Sequence, residues 1–158
     1  MSGFQGCPGS RTFEFGKDDQ QESAPAGRVA SQLRQWPIQL HLVSPAAPYF
    51  QGADVLLAAD CVPFAMGNFH ADYLKGKSLA IACPKLDSDQ EMYIEKIKAL
   101  CEEAKINTLT VIVMQVPCCR GLLGITLAAV RKSERKVPVR LVVVSLQGDV
   151  LQEDWAEA

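Results

Sequence analysis

Short apolar runs alternate with longer segments of mixed polarity over most of this chain, from residue 34 onward. Five runs have the length of strands and are rich in β-branched or small apolar residues: 38–43, 55–59, 78–82, 109–116 and 139–145. Because the runs are largely continuous rather than alternating, we expect a sheet whose two faces are both covered.

Helical spacing of apolar residues separates several of these runs. A helix is predicted to begin at Asp87 or Ser88 and to continue to about residue 105. A second helix is predicted over 121–133, where a basic last turn suits the helix dipole. Between the second and third runs, only 68–74 is expected to be helical, because a proline and a glycine precede it.

Strands that alternate with helices predict the fold class α/β, with a mostly parallel five-stranded sheet in a three-layer sandwich of Rossmann-like or flavodoxin-like type. Residues 1–33 differ from the rest, since the stretch 16–27 is polar and lacks periodicity. We therefore predict a flexible N-terminal arm over 1–33 and a single α/β metal-binding domain over 34–158. Residues 12–15 of the arm have the pattern of a short strand.

Composition excludes several classes of function. The chain has 158 residues, 48% of them hydrophobic, and a net charge of −2, so nothing favours a nucleic-acid partner or an acidic membrane surface. No apolar run is long enough to span a bilayer, and no secretory signal is visible, so we expect a cytoplasmic protein. Six cysteines in that setting favour metal binding or redox chemistry over a disulfide framework.

Four cysteines follow predicted strands. Cys61 and Cys83 come just after the second and third runs, and Cys118 and Cys119 come just after the fourth. Since the carboxyl ends of parallel strands share one edge of a sheet, we expect these four side chains to converge there. A proline accompanies each of the three sites and would make each turn rigid.

Positive charge is expected around these sulfurs. Cys118 and Cys119 open a predicted helix, whose free N–H groups and dipole favour thiolates. Arg120 follows them directly, and Lys85 lies two residues after Cys83. The four thiolates are therefore the predicted cofactor ligands.

The remaining cysteines and the histidines have less decided roles. His70 lies in the segment after Cys61 and is a candidate additional metal ligand, or a hydrogen-bond donor to a cluster sulfur, or an exposed helix residue. His41 lies inside the first predicted strand and is interpreted as a core or edge residue. Cys101 falls on the apolar face of the first helix and is interpreted as packing, while Cys7 is either a further thiol near the site or an exposed one.

Spacing does not identify the metal. There is no C-x2-C, which argues against zinc knuckles and ordinary ferredoxin spacing, and there is no GxGxxG or P-loop motif. Sulfur ligands limit the metal to an iron–sulfur centre, zinc or copper(I).

Six stretches resemble a known protein family: GCPGSR at 6–11, SQLRQWPIQLHLV at 31–43, APYFQGADVLLAADCVPFA at 47–65, FHADYLKGK at 69–77, CPKLD at 83–87 and VPCC at 116–119. The family comprises proteins of anaerobes described as 4Fe–4S ferredoxins or iron–sulfur cluster-binding oxidoreductases, and the chain resembles their C-terminal domain without the N-terminal two-cluster ferredoxin module. The order of cysteine motifs is also similar to the small delta subunit of methyl-viologen-reducing hydrogenase. The resemblance implies an electron-transfer adaptor whose partner is a ferredoxin or an oxidoreductase. The chain differs from this family at Arg120, where members of the family carry glycine.

Three functions are compatible with these observations. The first is an iron–sulfur electron-transfer protein ligated by the four cysteines, with 4Fe–4S preferred to 2Fe–2S. The second is a zinc-binding module without redox chemistry, which would use three cysteines with His70 or Cys119. The third is a redox protein that acts through the vicinal Cys118–Cys119 pair. Enzymatic activity and a homo-oligomeric state stay open.

Overall fold

The computed structural model describes residues 8–15 and 27–157. Its strands are β1 (Phe13–Glu14), β2 (Gln35–Trp36), β3 (Asp54–Ala59), β4 (Ser78–Ala82), β5 (Thr108–Met114), β6 (Val139–Val144) and β7 (Val150–Ala156). Its α-helices are α1 (Val62–Ala65), α2 (Gln90–Glu102) and α3 (Pro117–Lys132). Two 3₁₀ turns, Pro8–Ser10 and Pro48–Phe50, and a π-helical turn, His70–Leu74, complete them. No helix in these ranges is long and apolar enough to cross a membrane.

Five strands form the central sheet in the order β4-β3-β5-β6-β7. The first four are parallel and β7 is antiparallel to β6. When the five strands of this sheet are numbered 1 to 5 along the chain, their order across the sheet is 2-1-3-4-5, which is the flavodoxin-like order. The predicted α/β fold with a mostly parallel five-stranded sheet is therefore confirmed.

Helices cover the sheet because its central strands bury both faces. Nearly every residue of β3 and β5 is buried. Right-handed crossovers place α2 and α3 on one face and α1 with the π-helical turn on the other. Helices α2 and α3 also pack against each other.

The prediction of a first strand at 38–43 is wrong. Only Gln39 forms a bridge, with Ile81 of β4, and the chain then turns. The ammonium of Lys96 on α2 holds this turn, donating to the backbone oxygens of Leu40, His41 and Val43 at 3.0, 2.6 and 2.9 Å. The fifth strand of the sheet is instead β7, which the sequence pattern did not indicate.

Two predicted helix starts also shift. Asp89, rather than Asp87 or Ser88, caps α2, and its side chain accepts from the N–H of Met92. Helix α3 begins at Pro117, four residues before the predicted start, because proline suits the first turn of a helix. Cys118 and Cys119 consequently lie inside the first turn of α3.

Part of the predicted arm is joined to the body by a small two-stranded ribbon. Phe13 of β1 pairs with Trp36 of β2, and the indole Nε1 of Trp36 donates to the Gly9 oxygen at 2.6 Å. The polar stretch 16–26 and Cys7 lie outside the described residues. The boundary between residues 33 and 34 stays a prediction.

Candidate functional site

Three neighbouring loops leave the carboxyl end of the sheet and carry four cysteines. Cys61 follows β3 after one intervening residue, and Cys83 follows β4 directly. Cys118 and Cys119 occupy the first turn of α3, which follows β5 after two intervening residues. From β3 the chain crosses to β4 on one side of the sheet, and from β5 it crosses to β6 on the other side. The crevice of this fold therefore lies between β3 and β5. Cys61 and the Cys118–Cys119 pair flank that crevice.

Cys119 is the buried member of the group, with 7% of its surface exposed. Burial raises the pKa of its thiol, and a backbone hydrogen bond with Met114 opposes the rise. Cys118, which is in hydrogen-bond contact, and Cys61 both raise the pKa further. Cys61 and Cys118 themselves are exposed. The pKa of the Cys119 thiol therefore responds to the thiols of Cys118 and Cys61, and both of these residues are open to solvent.

Local hydrogen bonds explain why these cysteines hold their places. The Cys61 oxygen accepts from the N–H groups of Phe64 and Ala65 at 3.2 and 3.3 Å, which starts α1 immediately after the strand. The N–H of Cys119 donates to the Val116 oxygen at 3.2 Å and starts α3 in the same way. Both helices thus begin at the edge of the sheet with their cysteines in the first turn.

A carboxylate holds the turn that carries Cys83. Asp87 Oδ2 accepts from the Cys83 N–H at 2.8 Å, from Gln39 Nε2 at 3.3 Å and from the Tyr93 hydroxyl. The Asp87 N–H donates in return to the Cys83 oxygen at 2.9 Å. Burial alone would raise the pKa of Asp87, but these hydrogen bonds and nearby His41 hold it below its usual value.

The aromatic partner of that carboxylate is itself enclosed. Burial, followed by the hydrogen bond to Asp87, raises the pKa of the Tyr93 hydroxyl. The His41 ring lies 4.2 Å from the Tyr93 ring, and His41 Nε2 is 2.7 Å from the Ser88 oxygen. His41 therefore packs against Tyr93 from a turn, and it does not lie inside a strand as the sequence indicated.

Asp60 lies between the Cys61 and Cys83 sites. Its N–H donates to the Ala82 oxygen at 3.1 Å, which ties the end of β3 to the end of β4. Its Oδ1 atom is buried and has no hydrogen-bond partner among the residues described. Burial and then the charge of Asp87 raise the pKa of this carboxyl.

Comparison with known proteins gives the same architecture. The Rossmann-like domain family matches residues 47–157. The chain belongs to this family. An uncharacterized protein of Archaeoglobus fulgidus is 34% identical to this Rossmann-like domain over 91 residues, which are 58% of this chain and 63% of the relative. The chain thus aligns with less than two thirds of that relative, and no solved structure gives a match. Neither finding bears on the resemblance to iron–sulfur proteins, which stays a prediction.

The ring of His70 in this Rossmann-like domain is held by a backbone N–H group. Its Nδ1 accepts from the Gln32 N–H at 3.0 Å. The ring lines a cavity of about 210 Å³ that is formed with residues 29–31 and 67–68. With Nδ1 occupied, His70 has a structural partner that no sequence pattern indicates, because the two residues are 38 positions apart.

The other cysteines and the predicted metal ligands are also placed. Cys101 is fully buried on α2, and burial raises the pKa of its thiol to about 11, which confirms its interpretation as packing. All cysteines in the described ranges are free thiols. Within those ranges, no three His, Cys, Asp or Glu side chains are arranged to hold a metal ion. The four-cysteine ligand set is thus not a preformed cage, and it stays a prediction.

Proposed function

We propose that this domain is an electron-transfer protein, or an adaptor to a redox enzyme, in which Cys61, Cys83, Cys118 and Cys119 hold an iron–sulfur cluster. One observation carries the proposal: Cys61 and the Cys118–Cys119 pair follow the two strands that flank the crevice of the sheet, and Cys83 follows the adjacent strand. Ligands of Rossmann-like folds bind at this place.

The donor set suits iron by its chemistry. Thiolates are the usual protein ligands of iron–sulfur clusters, and such a cluster stores and releases single electrons. Cys61 and Cys118 are exposed, so their side chains can change rotamer without repacking the core. The Cys83 turn lies against the start of α3, since a Cβ on Gly121 would be 3.5 Å from Pro84 Cβ. This contact joins the loop of Cys83 to the helix that carries Cys118 and Cys119.

The chain would also tune such a centre. Burial of Cys119 excludes water from one side, and Asp87 fixes the Cys83 backbone. Burial and hydrogen bonding near sulfur are the means by which proteins set cluster potentials. His70 is left out of the proposed ligand set because its Nδ1 is occupied. The six sequence motifs support an iron–sulfur family, a four-iron cluster and a ferredoxin or oxidoreductase as partner.

Anaerobic purification tests the proposal directly. The expected protein is brown, contains iron and acid-labile sulfide, and loses both when Cys61, Cys83 or Cys118 is changed to serine. The matched control is Cys101→Ala, which removes a buried thiol far from the crevice and should leave the iron content unchanged. A colourless protein that stays free of iron and sulfide after anaerobic reconstitution would refute the proposal.

A vicinal-thiol redox protein is the second candidate. The contact between Cys118 and Cys119 favours it, together with the absence of a preassembled metal group in the described ranges. Protein made without oxygen would then contain no metal and would react through Cys118, the exposed member of the pair. Zinc with no sulfide in the elemental analysis would instead indicate the non-redox module.

A further inference from the structure

A short segment ahead of β2 lies along the π-helical turn that carries His70. Residues 28–32, which we call the strap, form neither helix nor strand, and three of the five are exposed. A segment with few buried contacts and no ladder of backbone hydrogen bonds can open locally while the rest of the protein stays folded. The strap is therefore held by a small number of contacts.

The imidazole of His70 makes one of these contacts. Its Nδ1 atom accepts from the Gln32 N–H at 3.0 Å, which joins the strap to the π-helical turn. An imidazole nitrogen can accept a hydrogen bond only while it carries no proton. The neutral ring, with its hydrogen on Nε2, is therefore the form of His70 that holds the strap.

A cavity separates part of the strap from the turn. Its volume is about 210 Å³, and it is lined by residues 29–31 of the strap and by Gly67, Asn68, His70 and Ala71. Atoms that face a void make no packing contacts across it. The hydrogen bond at Gln32 therefore contributes a larger share of the attachment than it would in a closely packed segment.

We propose that His70 is a pH-sensitive latch for the strap. In water an imidazole takes up a proton at about pH 6.5. Protonation of the His70 ring would place a hydrogen on Nδ1, so that two N–H groups would face each other and the bond to Gln32 would be lost. Since the strap binds the neutral ring alone, the latch is closed at high pH and opens as the pH falls. Its opening exposes the cavity to solvent.

Histidine is the residue type around the strap whose charge changes near neutral pH. Among the described residues that line the cavity, His70 alone has a titratable side chain. The strap also carries Arg28, and the turn carries Asp72 and Tyr73, with Lys75 just after it. Carboxylates, phenols, ammonium groups and guanidinium groups ordinarily keep one charge state between about pH 5.5 and about pH 7.5, whereas imidazoles do not.

The chain after the strap has its own attachments, which do not involve His70. The guanidinium of Arg34 donates to the Gly76 oxygen at 3.3 Å. Gln35, the first residue of β2, is fully buried, and its Oε1 atom accepts from the Leu79 N–H at 3.0 Å. Opening of the latch is therefore a local movement of the strap that leaves β2 on the sheet.

Hydrogen exchange at the Gln32 amide tests the latch, because this N–H is the donor to His70. The full chain is compared by NMR at about pH 7.5 and about pH 5.5, with protection factors corrected for the intrinsic exchange rate. We expect the wild-type amide to lose at least about tenfold of its protection at the lower pH. The Leu79 amide, which donates to Gln35, should stay protected at both and reports that the domain is folded.

Three variants complete the test. His70→Asn replaces Nδ1 by an amide oxygen that does not titrate, so Gln32 should stay protected at both pH values. His70→Ala removes the acceptor, and protection should be low at both. The matched control, His41→Asn, changes the histidine that packs on Tyr93 and should keep the wild-type pH dependence. Equal protection of wild-type Gln32 at the two pH values, or an unchanged pH-dependent loss in His70→Ala, would overturn the latch.

Discussion

The carboxylate of Asp87 determines how the Cys83 turn is held. Its Oδ2 atom receives three donors, and its own N–H returns a hydrogen bond to Cys83. Charged acceptors make the stronger hydrogen bonds of proteins, and donors left unpaired after their loss are costly. Asp87 therefore links the candidate site to the folded core through Tyr93.

We predict that Asp87→Asn destabilises the metal-free protein by about 1–3 kcal/mol at pH 7. Because the folded-state pKa of Asp87 is lowered, its carboxylate stabilises the fold above the unfolded pKa of about 3.9. That stabilisation is lost as the pH falls through the folded-state pKa. Urea unfolding at several pH values should show the wild type and the variant converging below about pH 4.

Asp72→Asn is the matched control, because Asp72 is exposed and no side-chain hydrogen bond to it is found among residues 8–15 and 27–157. It should change the unfolding free energy by less than about 0.5 kcal/mol at every pH. A constant difference between Asp87→Asn and wild type from pH 7 to pH 3 would contradict the role of the charge.

Residue-level sequence reasoning found the cysteines but not their support. Cys61, Cys83 and the vicinal pair could be placed because strand ends are visible in the apolar pattern. The donors to Asp87 come from three separate segments, and such contacts leave no periodic trace. His70 was grouped with the cysteines by its position after Cys61, whereas its ring is held by Gln32 from across the chain.

Elements were predictable where burial dictates the pattern. Strands β3, β4, β5 and β6 are buried almost throughout, so they appear as continuous apolar runs. Strand β7 is exposed along nearly its whole length and therefore carries no apolar run. The apolar run at 38–43 forms no strand although part of it is buried. Its buried residues Leu40 and Val43 lie in a turn.

The ammonium of Lys96 stabilises the turn at 40–43 through three hydrogen bonds to backbone oxygens. We predict that Lys96→Met lowers the free energy of unfolding by about 1–3 kcal/mol, because three backbone oxygens lose their common donor. Urea unfolding measures the change. Lys98→Met, on the same helix and without such contacts, should differ from wild type by less than about 0.5 kcal/mol. Equal effects of the two substitutions would show that the ammonium does not hold the turn.

At the scale of the whole molecule, the carboxyl edge of the sheet is closed by contacts between loops from distant strands. The loop after β6 reaches across to α1, which follows β3. Gly148 makes this approach, with φ at +92°, where only glycine is unstrained. The position of the loop after β6 against α1 therefore depends on this glycine.

We predict that Gly148→Ala destabilises the protein, since the added Cβ would lie 2.3 Å from the Ala65 oxygen. Backbone strain of this kind costs about 1–3 kcal/mol, measurable as a lowered urea midpoint. Gly67→Ala is the matched control, because no atom lies within 4 Å of its added Cβ and its φ is not positive. It should leave the urea midpoint close to that of the wild type. A urea midpoint of Gly148→Ala equal to that of the wild type would show that the loop after β6 can move away from α1 without cost.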